Sequence, residues 1–241
     1  MKIGIITAMP EETTAALKKA EHSTKNELKG RKVFHCEIYG HEIVLIEAGM
    51  GMLNAGWAAT VLAIEQPDLI ISTGFGGAVL PGLSVGDVVA AQQLLHSSAN
   101  GFEEIEVGIY GRNSIADILG LNRGTFISCD VILDKKTLSK QLPDGTTNPV
   151  VEMESAAVAR VAGTQGIPFL GIRAISDPWD EKLDFNINEF CDDSMKIRIP
   201  KVLATIAKRP KIIPQLIRLA RTSSIAAKSL AVAMEQLFKQ I

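Results

Sequence analysis

The chain has 241 residues, 46% of them hydrophobic, 22% charged and 5% aromatic, with a formal net charge of −2. Such a composition suits a globular chain with room for a sizeable core, arranged as one large domain or two small ones. The scarcity of aromatics argues against a broad stacking surface for single-stranded nucleic acid, and no apolar run reaches the length of a membrane span.

The small net charge hides an asymmetry. From Lys196 onward there are ten Lys/Arg against one acid, Glu235, so the first 195 residues are strongly acidic. Cys36, Cys129 and Cys191 are far apart, with no Cys-x-x-Cys and no histidine at metal-ligand spacing. Buried free thiols, no metal and no cofactor are expected. The opening Met-Lys-Ile-Gly-Ile-Ile is too promptly broken for a signal peptide, which predicts a cytoplasmic protein.

Lys2 to Thr7 is apolar, as a central strand should be. Pro10, Glu11 and Glu12 suit the first turn of a helix. Residues 32–38 and 42–46 read as a hairpin turned at Tyr39-Gly40-His41. Gly49-Met50-Gly51 breaks the chain before an alanine-rich helix, Leu53 to Ile64. Asp68 to Ser72 is a buried strand running into a glycine-rich turn, Thr73-Gly74-Phe75-Gly76-Gly77-Ala78. Pro81-Gly82 is a turn, and β structure resumes at Val85. Residues 97–123 are polar and carry no clear pattern. Thr125 to Cys129 is a strand. Ser155 to Ala162 has helical propensity and is stopped by Gly163, Gly166 and Pro168. Phe169 to Ile175 is a buried strand, apolar except for Arg173, and it ends at Ser176 and Asp177. Asn186 to Met195 reads as helical. So does the tail from Lys196, interrupted at Pro210 and Pro214, with Leu230, Met234, Leu237, Phe238 and Ile241 on one face. No linker is visible, so the reading is a catalytic domain, 1–210, with a basic amphipathic extension, 211–241, packed on it.

Ligands of open α/β sheets bind outside the carboxyl ends of strands, which favours Asp177, with Glu154 at a nearby helix start. The glycines at 74–77 fit neither G-x-G-x-x-G nor a P-loop, which makes a nucleotide-dependent oxidoreductase improbable. Taken singly, the acids have plain structural explanations. Glu12 complements a helix dipole, Glu152 is a surface group and Asp177 caps a turn. Arg173 is different, because a buried charge needs a partner, and Glu154 is the nearest candidate. Taken together, Glu12, Glu154 and Asp177 sit at pocket edges, and paired carboxylates suit cleavage of a glycosidic bond.

Met1-Lys-Ile-Gly-Ile-Ile-Thr-Ala-Met-Pro-Glu-Glu12, the glycine segment from Thr73, Val85-Gly-Asp-Val-Val89 and Val151-Glu-Met-Glu154 with Arg173-Ala-Ile-Ser-Asp177 resemble the nucleoside phosphorylase superfamily. The branch most resembled is the methylthioadenosine/S-adenosylhomocysteine nucleosidases, over roughly the first three-quarters of the chain. The resemblance implies one α/β domain with a twisted mixed sheet flanked by helices, usually dimeric. It implies release of adenine from a 5′-modified adenosine, with a phosphate-dependent phosphorylase as the alternative. Asp177 would then protonate the purine at N7, with Ser176 holding it. Glu12 would activate water, Glu154 would bind the ribose hydroxyls, and Met153 would pack on the sugar. Met50, Phe75, Gly76, Glu152 and Arg173 would bind the substrate as well, and Ile132 and Leu133 match the segment that holds the purine. This chain departs from the pattern at Phe75, where a small serine is usual. It also lacks an aromatic at 132–133 and the aromatic-rich loop after His96. The basic tail reads first as a docked surface helix, although a Lys/Arg-rich amphipathic helix also suits an anionic membrane face. Together with the altered 5′ side it resembles the hopanoid-associated members, whose nucleoside carries a polycyclic lipid. No nucleic-acid partner is expected.

Overall fold

A computed structural model describes residues 1–112, 114–131, 134–181, 190 and 199–241. In chain order the strands are β1 (Lys2–Thr7), β2 (Glu21–Leu28), β3 (Arg31–Ile38), β4 (His41–Glu47), β5 (Leu69–Ala78), β6 (Val88–Ser98), β7 (Gly101–Glu104), β8 (Asn122–Cys129), β9 (Val150–Glu152) and β10 (Phe169–Asp177). The helices are α1 (Pro10–Ala16), α2 (Met52–Ile64), α3 (Ile115–Leu119), α4 (Lys135–Ser139), α5 (Ser155–Thr164), α6 (Ile199–Lys208) and α7 (Ile213–Gln240).

All ten strands form one mixed sheet. β10 pairs with both β5 and β6, and β6, β8, β9 and β5 follow in sequence, so five strands close on themselves. β1, β4, β3 and β2 extend the sheet beyond β5. Side chains alternate across it, as the strand period requires. On β4, Ile43 and Leu45 join the core under α1 and α7, whereas Val44 and Ile46 join the core under α2 and α5. The result is a mixed sheet between two helix layers, the architecture expected from the sequence.

β5 positions the site. β10 covers residues 70–77 along one edge of β5. The other edge must therefore serve two neighbours, β1 at Leu69 to Ser72 and β9 at Gly77 and Ala78. Between them lies a stretch of β5, around Gly74 and Phe75, whose second edge pairs with no strand among the described residues. In open α/β sheets ligands bind where neighbouring strands part in this way.

Several expectations need correction. The glycines at 74–77 are not a turn, because β5 runs straight through them. Val85 to Asp87 precedes β6, which starts at Val88. Pro214 does not interrupt the tail; it lies in the first turn of α7, where its missing N–H costs nothing. β2 was not anticipated at all. The helix expected at 186–195 lies outside the described residues, Phe190 excepted, as does Cys191.

The far half of α7 docks on the sheet. Leu230, Met234, Leu237 and Phe238 are at most 2% exposed, each contributing about 2 kcal/mol of hydrophobic stabilisation. Cys36 and Cys129 are buried free thiols, and burial pushes them up to about 11 and about 12. Among the described residues no helix is long and apolar enough to cross a membrane, and no acid/His/Cys cluster could hold a metal.

Candidate active site

Glu12 is 3% exposed and reaches back over the start of its own helix. Its Oε2 accepts the N–H groups of Ala8 and Met9, at 2.8 and 2.9 Å, while Oε1 accepts the Phe75 N–H at 2.8 Å. The Phe75 N–H is free to do this because it lies in the unpaired stretch of β5. Gly74 is required here, since a Cβ there would stand 2.5 Å from Glu12 Oε1. A carboxylate offers about four lone-pair sites. Three are taken, which leaves Oε1 one for a water or substrate hydroxyl. Burial pushes the Glu12 carboxyl above its ordinary value, against the Phe75 N–H, the charge of Arg173 and the N–H groups of Met9 and Ala8.

β9 ends in the second cluster. The carboxylate of Glu152, 1% exposed, faces the equally buried guanidinium of Arg173 at 2.5 Å. Arg173 also donates to Ser72 and Ser155, at 3.0 and 3.1 Å. The other oxygen of Glu152 accepts from Ser128, and Ser128 in turn accepts the N–H of Ala156. Oε2 of Glu152 also takes the N–H groups of Glu154 and Ser155, so this pair fixes the N-terminus of α5. Burial alone would raise the Glu152 carboxyl, but Arg173, Ser128 and Ser155 outweigh it and hold it below the ordinary value. Two expectations change as a result. Arg173 pairs chiefly with Glu152, with Glu154 farther off at 3.7 Å. The Arg173 and Glu152 side chains are both almost fully buried, and Glu152 braces the backbone that carries Glu154.

Glu154 sits at the start of α5 with its carboxylate 12% exposed. Oε1 accepts the Gly51 N–H at 2.8 Å. Gly51 and Gly49 have φ of 96° and 91°, so the break around Met50 is the left-handed chain reversal that delivers this N–H. Met50 and Met153 are both half-buried beside it. Burial, then the charge of Glu152, pushes Glu154 up to about 7, despite Arg173 and Gly51. In the unfolded chain it would titrate near its ordinary 4.5, so between these values the folded state holds the extra proton. Its contribution to stability is therefore greatest below pH about 4.5 and is lost as pH rises through about 7, by about 3 kcal/mol in all. Glu154→Gln should then melt about 5 °C or more above wild type at pH 8, with the gap closing at pH 4.5. Thermal melts at the two pH values check this, and a variant no more stable at pH 8 overturns it.

Asp177 ends β10, opposite Gly77 of β5. Ser176 donates to its Oδ1 at 2.6 Å. Oδ2 meets Lys135 Nζ at 2.5 Å. Any Cβ at Gly77 would fall on Oδ2 and 2.8 Å from Lys135 Nζ, so this glycine makes room for the pair. Gly76 instead makes room for Val150. The Phe75 ring is 9% exposed and belongs to the core beneath α1 and α7, while its backbone serves Glu12. Lys135 was not foreseen; its only sequence signal is a cation just beyond the carboxyl end of a strand. Ile132 and Leu133, expected at the base, lie outside the described residues.

β5 therefore holds Glu12 and Asp177 along one strand. Glu12 lies against Gly74 and Asp177 against Gly77, about 10 Å of strand apart. Glu154 is close enough to Glu12 for their charges to raise it further.

A family model described as the Phosphorylase superfamily matches residues 2–208. Among solved structures, a Campylobacter jejuni 5′-methylthioadenosine/S-adenosyl homocysteine nucleosidase is 21% identical, with 99% of each chain covered and a TM-score of 0.73. A Helicobacter pylori futalosine hydrolase is 18% identical, covering 100% of this chain and 98% of that one, with a TM-score of 0.73. A 5′-methylthioadenosine/S-adenosylhomocysteine nucleosidase from S. pneumoniae is 27% identical, covering 95% and 100%, with a TM-score of 0.62. Because the family match runs from β1 through α6, far more than half of the sequence, the chain belongs to the phosphorylase superfamily.

Proposed function

We propose that this protein hydrolyses the N-glycosidic bond of a purine nucleoside with a modified 5′ position, releasing the free base. The observation that carries the reading is the placing of Glu12 against Gly74 and Asp177 against Gly77 on the carboxyl-terminal half of β5, with Glu154 near enough to Glu12 to feel its charge. In this reading the base lies against Asp177 and the ribose between Glu154 and Glu12. Asp177 gives a proton to N7 as the bond from C1′ to N9 breaks, and the bonding electrons leave with the base. The oxocarbenium-like sugar is stabilised by the acids around it. Water adds to C1′ and loses a proton to Glu12, whose carboxyl is raised by burial above its ordinary value. Nucleoside plus water becomes sugar plus base. Glu154 accepts hydrogen bonds from the ribose hydroxyls.

Water is favoured over phosphate as the nucleophile. No arginine occurs in residues 4–12 or 72–78, and Arg173 is consumed by Glu152. Glu12 would repel an anion. The related proteins from C. jejuni and S. pneumoniae are nucleosidases by name, and the one from H. pylori a hydrolase. Adenine is the base that the family resemblance implies. The 5′ group we propose is bulky and apolar, lying toward Met50; a lipid-linked nucleoside fits that description. A panel of purine nucleosides, assayed for free base with and without phosphate, tests the reading. Base release independent of phosphate is expected. Strong acceleration by phosphate, yielding ribose 1-phosphate, selects the phosphorylase, and no release from any purine nucleoside removes the function.

Two further parts of the proposal concern assembly. Leu53 and Ile64 of α2 are 93% and 76% exposed and Trp57 lies between them, an apolar stripe suited to pairing two copies. The start of α7 carries exposed Ile213 and Ile217 near Lys211, which suits an anionic membrane face. Sedimentation with and without anionic vesicles reads both, and a monomer that ignores vesicles at low salt refutes both.

A further inference from the structure

We infer that Lys135 sets the class of base at this site, and that the class is a 6-oxopurine. The inference rests on the nucleosidase reading above and departs from the adenine that resemblance implies.

Lys135 opens α4 with its side chain 13% exposed. Its ammonium has three N–H donors and nothing to accept with. Two of them go to backbone carbonyls, Asp177 O at 3.1 Å and Pro178 O at 2.9 Å. Those carbonyls fix the nitrogen in place. The third donor faces Asp177 Oδ2 at 2.5 Å. Oδ1 is already held by Ser176, so Oδ2 is the oxygen left to meet a base. Lys135 therefore stands beside the one atom that would exchange a proton with N7. It is held there from behind, and Gly77 keeps the space open.

The edge of a purine that carries N7 also carries the 6-substituent. In adenine that edge presents an acceptor, N7, and a donor, the 6-amino group. In hypoxanthine or guanine it presents two acceptors, N7 and O6. A lone carboxyl group suits adenine, since its O–H can give to N7 and its other oxygen can take from the amino group. This site instead pairs the carboxyl with a fixed ammonium. To give a proton to N7, Asp177 must carry it on Oδ2, and a neutral Oδ2–H no longer holds the third N–H of Lys135, which can turn to O6. Two donors then meet two acceptors. With adenine the ammonium would face an amino group, leaving two donors opposed and unpaired, which a desolvated site tolerates poorly.

The test compares two pairs of nucleosides, each pair sharing one sugar: inosine with adenosine, and 5′-methylthioinosine with 5′-methylthioadenosine. Wild type should favour the 6-oxo member of each pair in kcat/KM by about 10- to 100-fold. Lys135→Met should lower that preference by about 30-fold, whatever it does to absolute rates, and Lys135→Arg should restore part of it. A preference that stays within threefold on Lys135→Met overturns the inference and leaves Lys135 as a support for Asp177. Wild type that favours adenine nucleosides also overturns it while leaving the nucleosidase reading intact. Calorimetric binding of free hypoxanthine and adenine gives a second readout that needs no turnover. Equal affinities there would count against the base class, and cleavage of none of the four nucleosides would sink the underlying reading.

Discussion

Asp177→Asn should lower turnover by about a thousandfold or more while binding of purine nucleoside stays within about tenfold of wild type. Asparagine is close to isosteric and its side-chain oxygen can still accept from Ser176 or Lys135. What it cannot do is hand a proton to a leaving base. Positioned acid catalysis is worth about two to four orders of magnitude, and here the leaving group depends on it. The loss should therefore fall on kcat and not on KM. Glu12→Gln is a less clean probe. Each of its carboxylate oxygens accepts a backbone N–H, so an amide group would turn its own donors against Phe75 or against Ala8 and Met9. Loss of folding and loss of catalysis would then be mixed. Steady-state kinetics of base release for Asp177→Asn, with nucleoside affinity measured separately, decides the matter. Turnover within tenfold of wild type would remove Asp177 from the reaction and the proposed chemistry with it.

How much of this could be read in the sequence depends on where each residue finds its partners. β1, β5 and β10 are apolar because helices cover both of their faces, and a run of Ile, Leu and Val announces that directly. β2 is the opposite case. Its Glu-His-Ser-Thr-Lys-Asn-Glu-Leu is exposed along its whole length, and it is a strand only because β3 offers it an edge. The glycines after Thr73 were misjudged for a related reason. Two of them make room for Glu12 and for Asp177 with Lys135, residues far away in the chain, and none of the three at 74, 76 and 77 has a left-handed φ. Sequence treats glycine as a bend, whereas here it is an absence of side chain. Glu154 and Asp177 were legible as acids at element ends. Glu152 read as a surface group because its ion partner stands 21 residues on, in a strand that only the fold brings alongside.

That same pair yields the largest effect expected on stability. Arg173→Met should destabilise the protein by about 3–5 kcal/mol, because it strands the Glu152 carboxylate, 1% exposed, without its countercharge. For a chain of this size that is a fall in Tm on the order of 10 °C. The wild-type arrangement is not free of cost, since Arg173 Nε has no hydrogen-bond partner among the described residues. Glu152→Gln should also destabilise, because it leaves the buried Arg173 guanidinium with only Glu154, 3.7 Å away, although its amide can keep an oxygen for the N–H groups of Glu154 and Ser155. Replacing both members by apolar residues of similar volume should recover much of the stability lost in Arg173→Met, as buried ion pairs usually behave. Activity should not recover with it. Without Glu152 the N–H groups at the start of α5 lose their acceptor, and Glu154 loses the neighbour that fixes its backbone. With both charges gone, Glu154 loses the raising effect of Glu152 along with the smaller lowering effect of Arg173, so its carboxyl should titrate below its wild-type value. Denaturant unfolding of the two single variants and the double variant, set beside their kcat/KM, separates the two roles. A double variant that regains both folding and activity would show that the ion pair merely fills space beneath the site, and Glu154 would then need some other explanation for its placement.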